Sequence, residues 1–165
     1  MNLKQLIKAK KLDYVNSNIT EDKFPVPARI ASGETEYKLF HFNTSVSSKT
    51  AIQKIEEQRY APANLYELLS WEDWNEKDWV VALGSVAKVD GYRYVPVLYK
   101  DASKRSLDLS WFDGGWFGGS RFLAVRYSVP KTSESSEIGT LDSLTIEARV
   151  EKLEAIIKHH NLIAL

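Results

Sequence analysis

Residues 107–126 read LDLSWFDGGWFGGSRFLAVR. The two ends of this stretch, at 107–109 and 122–126, are mainly apolar, whereas residues 110–120 are all Ser, Trp, Phe, Asp or Gly. The pattern predicts two packed strands joined by a loop whose aromatic and small polar side chains contact a ligand. No residue in the stretch is a nucleophile with a base beside it, so the sequence favours binding over catalysis.

The composition bounds the class of protein. The chain has 165 residues, enough for one domain with an appended element. Lys+Arg and Asp+Glu balance at 22 each, which argues against a dedicated nucleic-acid binder. There is no cysteine, so disulfides, thiol catalysis and cysteine-ligated zinc are excluded. No cofactor or metal is predicted.

The N-terminal residues 1–12 predict a short amphipathic helix, since Leu3, Leu6 and Ile7 follow a helical spacing. They contain neither the apolar core nor the cleavage site of a secretory signal. No apolar run approaches the length of about 20 residues that spans a bilayer. We therefore expect neither a signal peptide nor a membrane span, and a cytoplasmic location by default.

Two helices are predicted in the next part of the chain. Residues 47–58 carry a helical apolar pattern behind Ser47 or Ser48, either of which is a suitable N-cap. Residues 61–62 end this helix, and Pro62 is predicted to open a second helix, since proline is favoured at a first helical position.

Strands are predicted around these helices. Residues 36–43 alternate in polarity, and the nearly all-apolar run 79–84 predicts a buried strand. Asp90 and Gly91 predict a hairpin turn into a strand at 94–99. Pro96 lies within that strand, so we expect an edge or a bulge there.

The C-terminal part reads as a linker followed by a helix. Residues 128–143 contain five Ser, two Thr, two Glu, one Gly and one Pro, which is typical of a linker. Residues 144–163 carry a heptad pattern that predicts a coiled coil, with a trimer favoured. The alternative is a single helix that folds back on its own domain. The predicted oligomerisation residues are Ile146, Arg149, Val150, Leu153, Glu154 and Ile157.

The order of these elements resembles the C-type lectin fold in its compact prokaryotic form. Residues 60–71, YAPANLYELLSW, are similar to the segment that enters the second helix of that fold. Residues 121–126, RFLAVR, are similar to its closing strand, including the strand of retroelement-diversified proteins. The resemblance implies a compact α+β domain at 13–127, with two helices and antiparallel strands and with the C-terminal helix appended.

The chain is also similar to small proteins of ultrasmall candidate-phylum bacteria. The similarity lies in the segments 13–16 (DYVN), 19–21 (ITE), 38–42 (KLFHF), 80–85 (VVALGS) and 107–109 (LDL). That group resembles the variable proteins of diversity-generating retroelements, in which adenine-directed errors replace asparagine-type codons. Ser, Asp, Gly and Phe are among the products of such errors.

The resemblance implies a display protein that binds an unknown protein or other macromolecule without catalysis. The chain lacks the calcium-binding motifs of animal lectins, which argues against calcium-dependent sugar binding. It also lacks the cysteines that formylglycine-generating enzymes use to bind copper, so that enzymatic alternative is disfavoured. The predicted contact residues are Ser110, Phe112, Asp113, Gly114, Gly115, Phe117, Gly118, Gly119 and Ser120. A second alternative is an assembly protein of a phage or mobile element, trimerised by residues 144–163.

Other candidate residues have a structural interpretation beside the functional one. Trp111 and Trp116 can anchor a ligand, but core packing is favoured because they alternate with small residues. The four loop glycines either permit turns with positive φ or are products of mutagenesis. Structural roles are also favoured for His41, Arg121, Arg126, His159, His160 and the acidic residues Glu72, Asp73, Glu76 and Asp78.

Overall fold

The structure is a computed structural model that describes residues 1–28 and 34–128. Within these residues it is mixed α+β with one large sheet, which confirms the α+β class. The predicted helix 144–163 with its oligomerisation residues, and the predicted linker beyond Ser128, lie outside the described residues. In chain order the elements are α1 (Leu3–Ala9), β1 (Tyr14–Val15), β2 (Thr35–Phe40), α2 (Ser48–Glu57), β3 (Ala61–Pro62), α3 (Leu65–Ser70), β4 (Val80–Val81), β5 (Ala87–Val89), β6 (Tyr92–Asp101), β7 (Lys104–Trp111) and β8 (Arg121–Tyr127).

The sheet has the strand order β1-β7-β6-β4-β8-β2, with β3 beside β8 and β5 beside β6. β6 and β7 form a long antiparallel hairpin, and β4 pairs antiparallel with β6 but parallel with β8. β7 and β8 therefore run in the same direction, with β6 and β4 between them. Parallel strands cannot be joined by a tight turn, so residues 112–120, here called the crossover, must pass across the sheet.

Side chains alternate along the strands and fill a core on each face of the sheet. On β8, Leu123 and Val125 pack into a first core with residues of α1 and α3. Phe122 and Ala124 of the same strand pack into a second core with residues of α2. Burial of a large apolar side chain contributes about 1.5–3 kcal/mol, so both cores stabilise the sheet.

The three described helices are short and each begins at a side-chain cap. Asn2 and Asn64 each form a capping box, and Ser47 accepts a hydrogen bond from the Thr50 N–H at 3.1 Å. Of the two predicted caps of α2, Ser47 is thus the one used. None of the helices in the described ranges is long and apolar enough to cross a membrane.

The prediction that Pro62 opens a helix is wrong. Pro62 lies in β3, opposite Ala124 of β8, and the chain stays extended until Asn64 caps α3. Asn64 provides what Pro62 cannot, a side-chain oxygen that accepts the Glu67 N–H at 2.8 Å. The local proline rule is overridden here by pairing with the sheet.

The hairpin turn is confirmed, but the expectation for Pro96 is wrong. Asp90 and Gly91 have φ of 51° and 82°, as a two-residue hairpin turn requires. Pro96 pairs with Leu109 in the middle of the β6–β7 hairpin and lies at neither an edge nor a bulge. Its carbonyl accepts the Ala82 N–H at 3.0 Å, so its nitrogen also faces β4. Opposite the Pro96 nitrogen, β4 has already ended and β5 does not yet pair with β6. The missing N–H of Pro96 therefore costs the sheet no hydrogen bond.

The predicted strand 79–84 is mostly irregular, since only Val80 and Val81 pair in the sheet. After them the chain turns beneath β3, where the Gly84 N–H donates to the Ala63 carbonyl at 2.8 Å. A Cβ on Gly84 would lie 2.4 Å from the Pro62 carbonyl oxygen. Glycine is therefore required by this close backbone approach.

Replacing Gly84 with alanine should destabilise the protein by about 1–3 kcal/mol, because the new methyl group meets rigid backbone. Urea unfolding followed by far-UV circular dichroism measures the change. The matched control is Gly115→Ala, where an added Cβ meets no atom within 4 Å. Equal unfolding midpoints for the two variants would contradict the packing argument.

Candidate functional site

The crossover presents most of the predicted contact residues at the surface. Phe117 is 54% exposed, and Asp113, Gly115 and Gly119 are also exposed. Half-buried positions are Ser110, Phe112, Gly114 and Gly118. Ser120 is only 1% exposed, so the prediction that it contacts a ligand is corrected. It lies directly before β8, and its N–H donates to the Phe117 carbonyl at 3.0 Å.

Trp116 holds the crossover against the second core, and its burial confirms the predicted core role. It is 5% exposed and packs edge-on against Phe122, with ring centroids 5.9 Å apart. Its Nε1–H donates to Ser48 Oγ at 2.8 Å, and that hydroxyl donates to the Phe112 carbonyl at 2.6 Å. Its backbone also pairs with Val46 in an antiparallel bridge. One buried residue thus ties the crossover to the beginning of α2.

Trp111 does not share this role, so its predicted core packing is wrong. It is 50% exposed and meets Tyr92 edge-on, with ring centroids 6.2 Å apart. Trp111 lies opposite Tyr94 at the end of the β6–β7 hairpin. Leu109, two residues earlier on the same face, is the last β7 side chain that packs against the first core. The Trp111 side chain therefore lies beyond the part of β7 that contacts the first core, and half of it stays exposed.

An ion pair holds the first part of the crossover. Arg93 makes a two-pronged contact with Asp113, in which Nε lies 3.1 Å from Oδ2, and its guanidinium lies 4.5 Å from the centroid of the Phe112 ring. The hydrogen bond from Arg93 lowers the pKa of Asp113, and the bond to Asp113 raises the pKa of Arg93. Both side chains are exposed, so the pair orients residues 112–113 more than it stabilises the fold.

The crossover glycines do not serve turns with positive φ, since Gly91 is the only described glycine with positive φ. They differ instead in the space around them. At Gly115 an added Cβ meets nothing within 4 Å, and at Gly114 the nearest atom is 3.4 Å away. At Gly118 it would lie 3.2 Å from the backbone of Thr44, and at Gly119 2.8 Å from the Phe117 ring. Positions 114 and 115 therefore have room for larger side chains.

Sequence reasoning missed an aromatic cluster beside the crossover. Trp79, which is 39% exposed, stacks on Tyr99 with centroids 4.3 Å apart. Phe117 meets Trp79 edge-on at 5.9 Å. These three residues come from distant parts of the chain, so no local pattern could have joined them. We call them the aromatic shelf.

Three other candidate residues, His41, Arg121 and Arg126, have structural contacts. His41 Nε2 lies 2.8 Å from the Gly118 carbonyl oxygen and so fastens the second half of the crossover. The two arginines of β8 form ion pairs, Arg121 with Asp78 and Arg126 with Glu36. In the described ranges no three His, Asp or Glu side chains are placed to hold a metal ion. His159 and His160 lie outside those ranges.

Comparisons with protein-family models, with curated proteins and with solved structures gave no match for this chain. The interpretation of the crossover and the aromatic shelf therefore depends on their geometry and on the sequence patterns.

Replacing Ser48 with alanine should destabilise the protein by about 1–3 kcal/mol, because the Trp116 Nε1–H and the Phe112 carbonyl both lose a partner in a buried place. Chemical unfolding measures this loss, and faster hydrogen exchange of the Trp116 indole should accompany it. Ser45→Ala is the control, since Ser45 is exposed just before α2. If the two variants are equally stable, the hydrogen-bonded anchor is not what holds the crossover.

The pKa of Asp113 should rise toward its ordinary value in an Arg93→Gln variant. Because the pKa is lowered in the folded state, the pair contributes stability at neutral pH and loses it as the pH falls through that lowered pKa. Carboxyl ¹³C NMR during a pH titration measures the midpoint. The control is Lys49→Gln, a residue of the same cleft that does not pair with Asp113. An unshifted midpoint in Arg93→Gln would show that another group lowers the pKa.

Proposed function

We propose that this chain is a ligand-binding display protein of C-type-lectin-like fold whose crossover is diversified by a retroelement. The fold part is supported by the order of elements. Helices α2 and α3, strand β4, and the β5–β6 hairpin precede a long irregular segment that leads into the closing strand β8. The ligand is a protein or another macromolecule, and the domain performs no catalysis.

The observation that carries this proposal is the alternation of burial around Trp116. Trp116 is buried and hydrogen-bonded, while the neighbouring positions Gly115 and Phe117 are exposed. Trp116 fixes the middle of the crossover, so the exposed side chains beside it can change while this point of the path is kept. Binding residues are commonly found on such loops positioned by a rigid scaffold.

The space around the crossover supports the same proposal. Positions 114 and 115 accept a Cβ without displacement of any neighbour. Position 119 requires only that the exposed Phe117 ring move, whereas position 118 is restricted by the backbone of Thr44. Tolerance of substitution should thus be wide at 114 and 115, and narrower at 118.

Sequencing of this gene across one natural population tests the proposal. We expect substitutions at adenine-templated codons of positions 110, 112–115, 117 and 119, together with a neighbouring reverse-transcriptase gene and a template repeat. Trp116 and Ser48 should remain constant, because they hold the crossover to α2.

Exposed residues away from the crossover provide the matched comparison, for example Gln53 on α2 and Lys88 on β5. If these positions vary as much as the crossover does, the substitutions reflect ordinary drift on an exposed surface. Uniformly low variation at both sets would remove the retroelement from the proposal and leave a fixed binding domain.

A further inference from the structure

The aromatic shelf adjoins a row of short polar side chains on β7. Tyr99 of β6 pairs with Ser106 of β7, so these two side chains lie on the same face of the sheet. Because side chains alternate along a strand, Asp108 and Ser110 face the same side as Ser106. Asp108 is a diagonal neighbour of Tyr99, within reach of its ring. Burial and the charge of Asp108 raise the pKa of the Tyr99 hydroxyl, in keeping with this proximity.

The carboxylate of Asp108 is held in place by one of its two oxygens. Oδ1 accepts hydrogen bonds from Asn16 Nδ2 and from the Leu109 N–H, each at 2.8 Å. Oδ2 receives no hydrogen bond from any residue in 1–28 or 34–128, although the side chain is half-buried. The protein thus presents an oriented, negatively charged acceptor beside the half-buried Tyr99 ring, which stacks on the partly exposed Trp79.

Asp108 also lacks a cationic partner within the described part of the chain. The arginines and lysines of neighbouring strands are paired with other carboxylates: Arg93 with Asp113, Lys100 and Arg105 with Glu76, and Arg121 with Asp78. The nearby Lys104 lies over the Tyr14 ring, with its Nζ 5.5 Å from the ring centroid. The charge of Asp108 is therefore left for a group from outside.

We propose that Asp108 and the aromatic shelf bind a cationic side chain of the protein ligand, arginine above all. This inference rests on the proposed function, because it names the chemistry that a partner of the crossover must present. The free Oδ2 accepts an N–H of the cation, while the guanidinium packs against Tyr99, the ring of the shelf that neighbours Asp108.

Arginine fits this surface better than other groups do. Its planar guanidinium stacks on aromatic rings and donates to a carboxylate at the same time. A phosphate or an acidic peptide would be repelled by Asp108. Phe117 belongs to both the shelf and the crossover, so a bound arginine would lie next to the variable positions and would fix one point of the contact.

NMR titration of the full chain with N-acetyl-arginine amide tests the proposal. We expect chemical-shift changes at the Trp79 indole N–H and at the amides of Asp108, Leu109 and Phe117. N-acetyl-citrulline amide, a neutral molecule of nearly the same shape, should cause much smaller changes. Asp108→Asn should weaken arginine binding about tenfold, since it removes the charge from the hydrogen bond.

Two further variants make the test specific. Asp90→Asn removes the same charge from an exposed turn outside the shelf, and asparagine tolerates the positive φ found there, so binding should not change. Trp79→Leu removes one ring of the shelf and should also weaken binding, which provides an independent reading if Asp108→Asn perturbs the bond to Asn16.

Three results would overturn the proposal. These are equal shifts with citrulline, stronger shifts at the same signals with methyl α-glucopyranoside, and arginine shifts confined to 112–115 that survive Asp108→Asn. Each leaves the proposed function standing if the population sequences vary at the crossover. Conversely, a fixed crossover sequence together with arginine binding at Asp108 would refute diversification while the cation site remains.

Discussion

β7 and β8 run in the same direction with two strands between them, and this constraint decides the rest of the structure. The chain cannot return through a hairpin, so it must pass across a sheet face that is already packed. Trp116 makes this passage possible, because it fills the second core beneath the crossover and its indole N–H finds a partner in Ser48. The rest of the crossover then needs only glycines and short side chains to complete its route to β8, and several of these residues lie at the surface.

Much of the local structure could be predicted from the sequence, because its causes are local. The Asp90-Gly91 turn has only one favourable backbone solution, and Ser47 precedes a clear helical pattern. The expectations for Pro62 and Pro96 differ from the structure because each residue lies where the sheet, not the neighbouring residues, decides the conformation. Pro62 pairs with β8, and Pro96 faces a gap between two short strands.

The candidate site was predictable only in part, for a similar reason. Trp111 and Trp116 occupy similar settings in the sequence, yet one extends past the apolar contacts of β7 and the other lies beneath the crossover. Trp79 and Tyr99 meet only because β4 pairs with β6. The alternation of Ser106, Asp108 and Ser110 with leucines was visible in the sequence. That this polar row lies beside aromatic rings could not be predicted, because the fold alone brings Tyr99 and Trp79 to the same face.

The hydrogen bond from the Leu109 N–H to Asp108 has a consequence for association between chains. β1 covers only the first half of the outer edge of β7, and the Asn16 N–H makes the last backbone bond there, to the Leu107 carbonyl. By alternation, the next N–H on that edge, beyond the reach of any strand in 1–28 or 34–128, belongs to Leu109. A strand from another molecule would need this donor to extend the sheet. Because the Leu109 N–H already donates to a carboxylate oxygen of Asp108, it is not free to pair with such a strand. This hydrogen bond therefore protects the edge from the backbone pairing that begins aggregation.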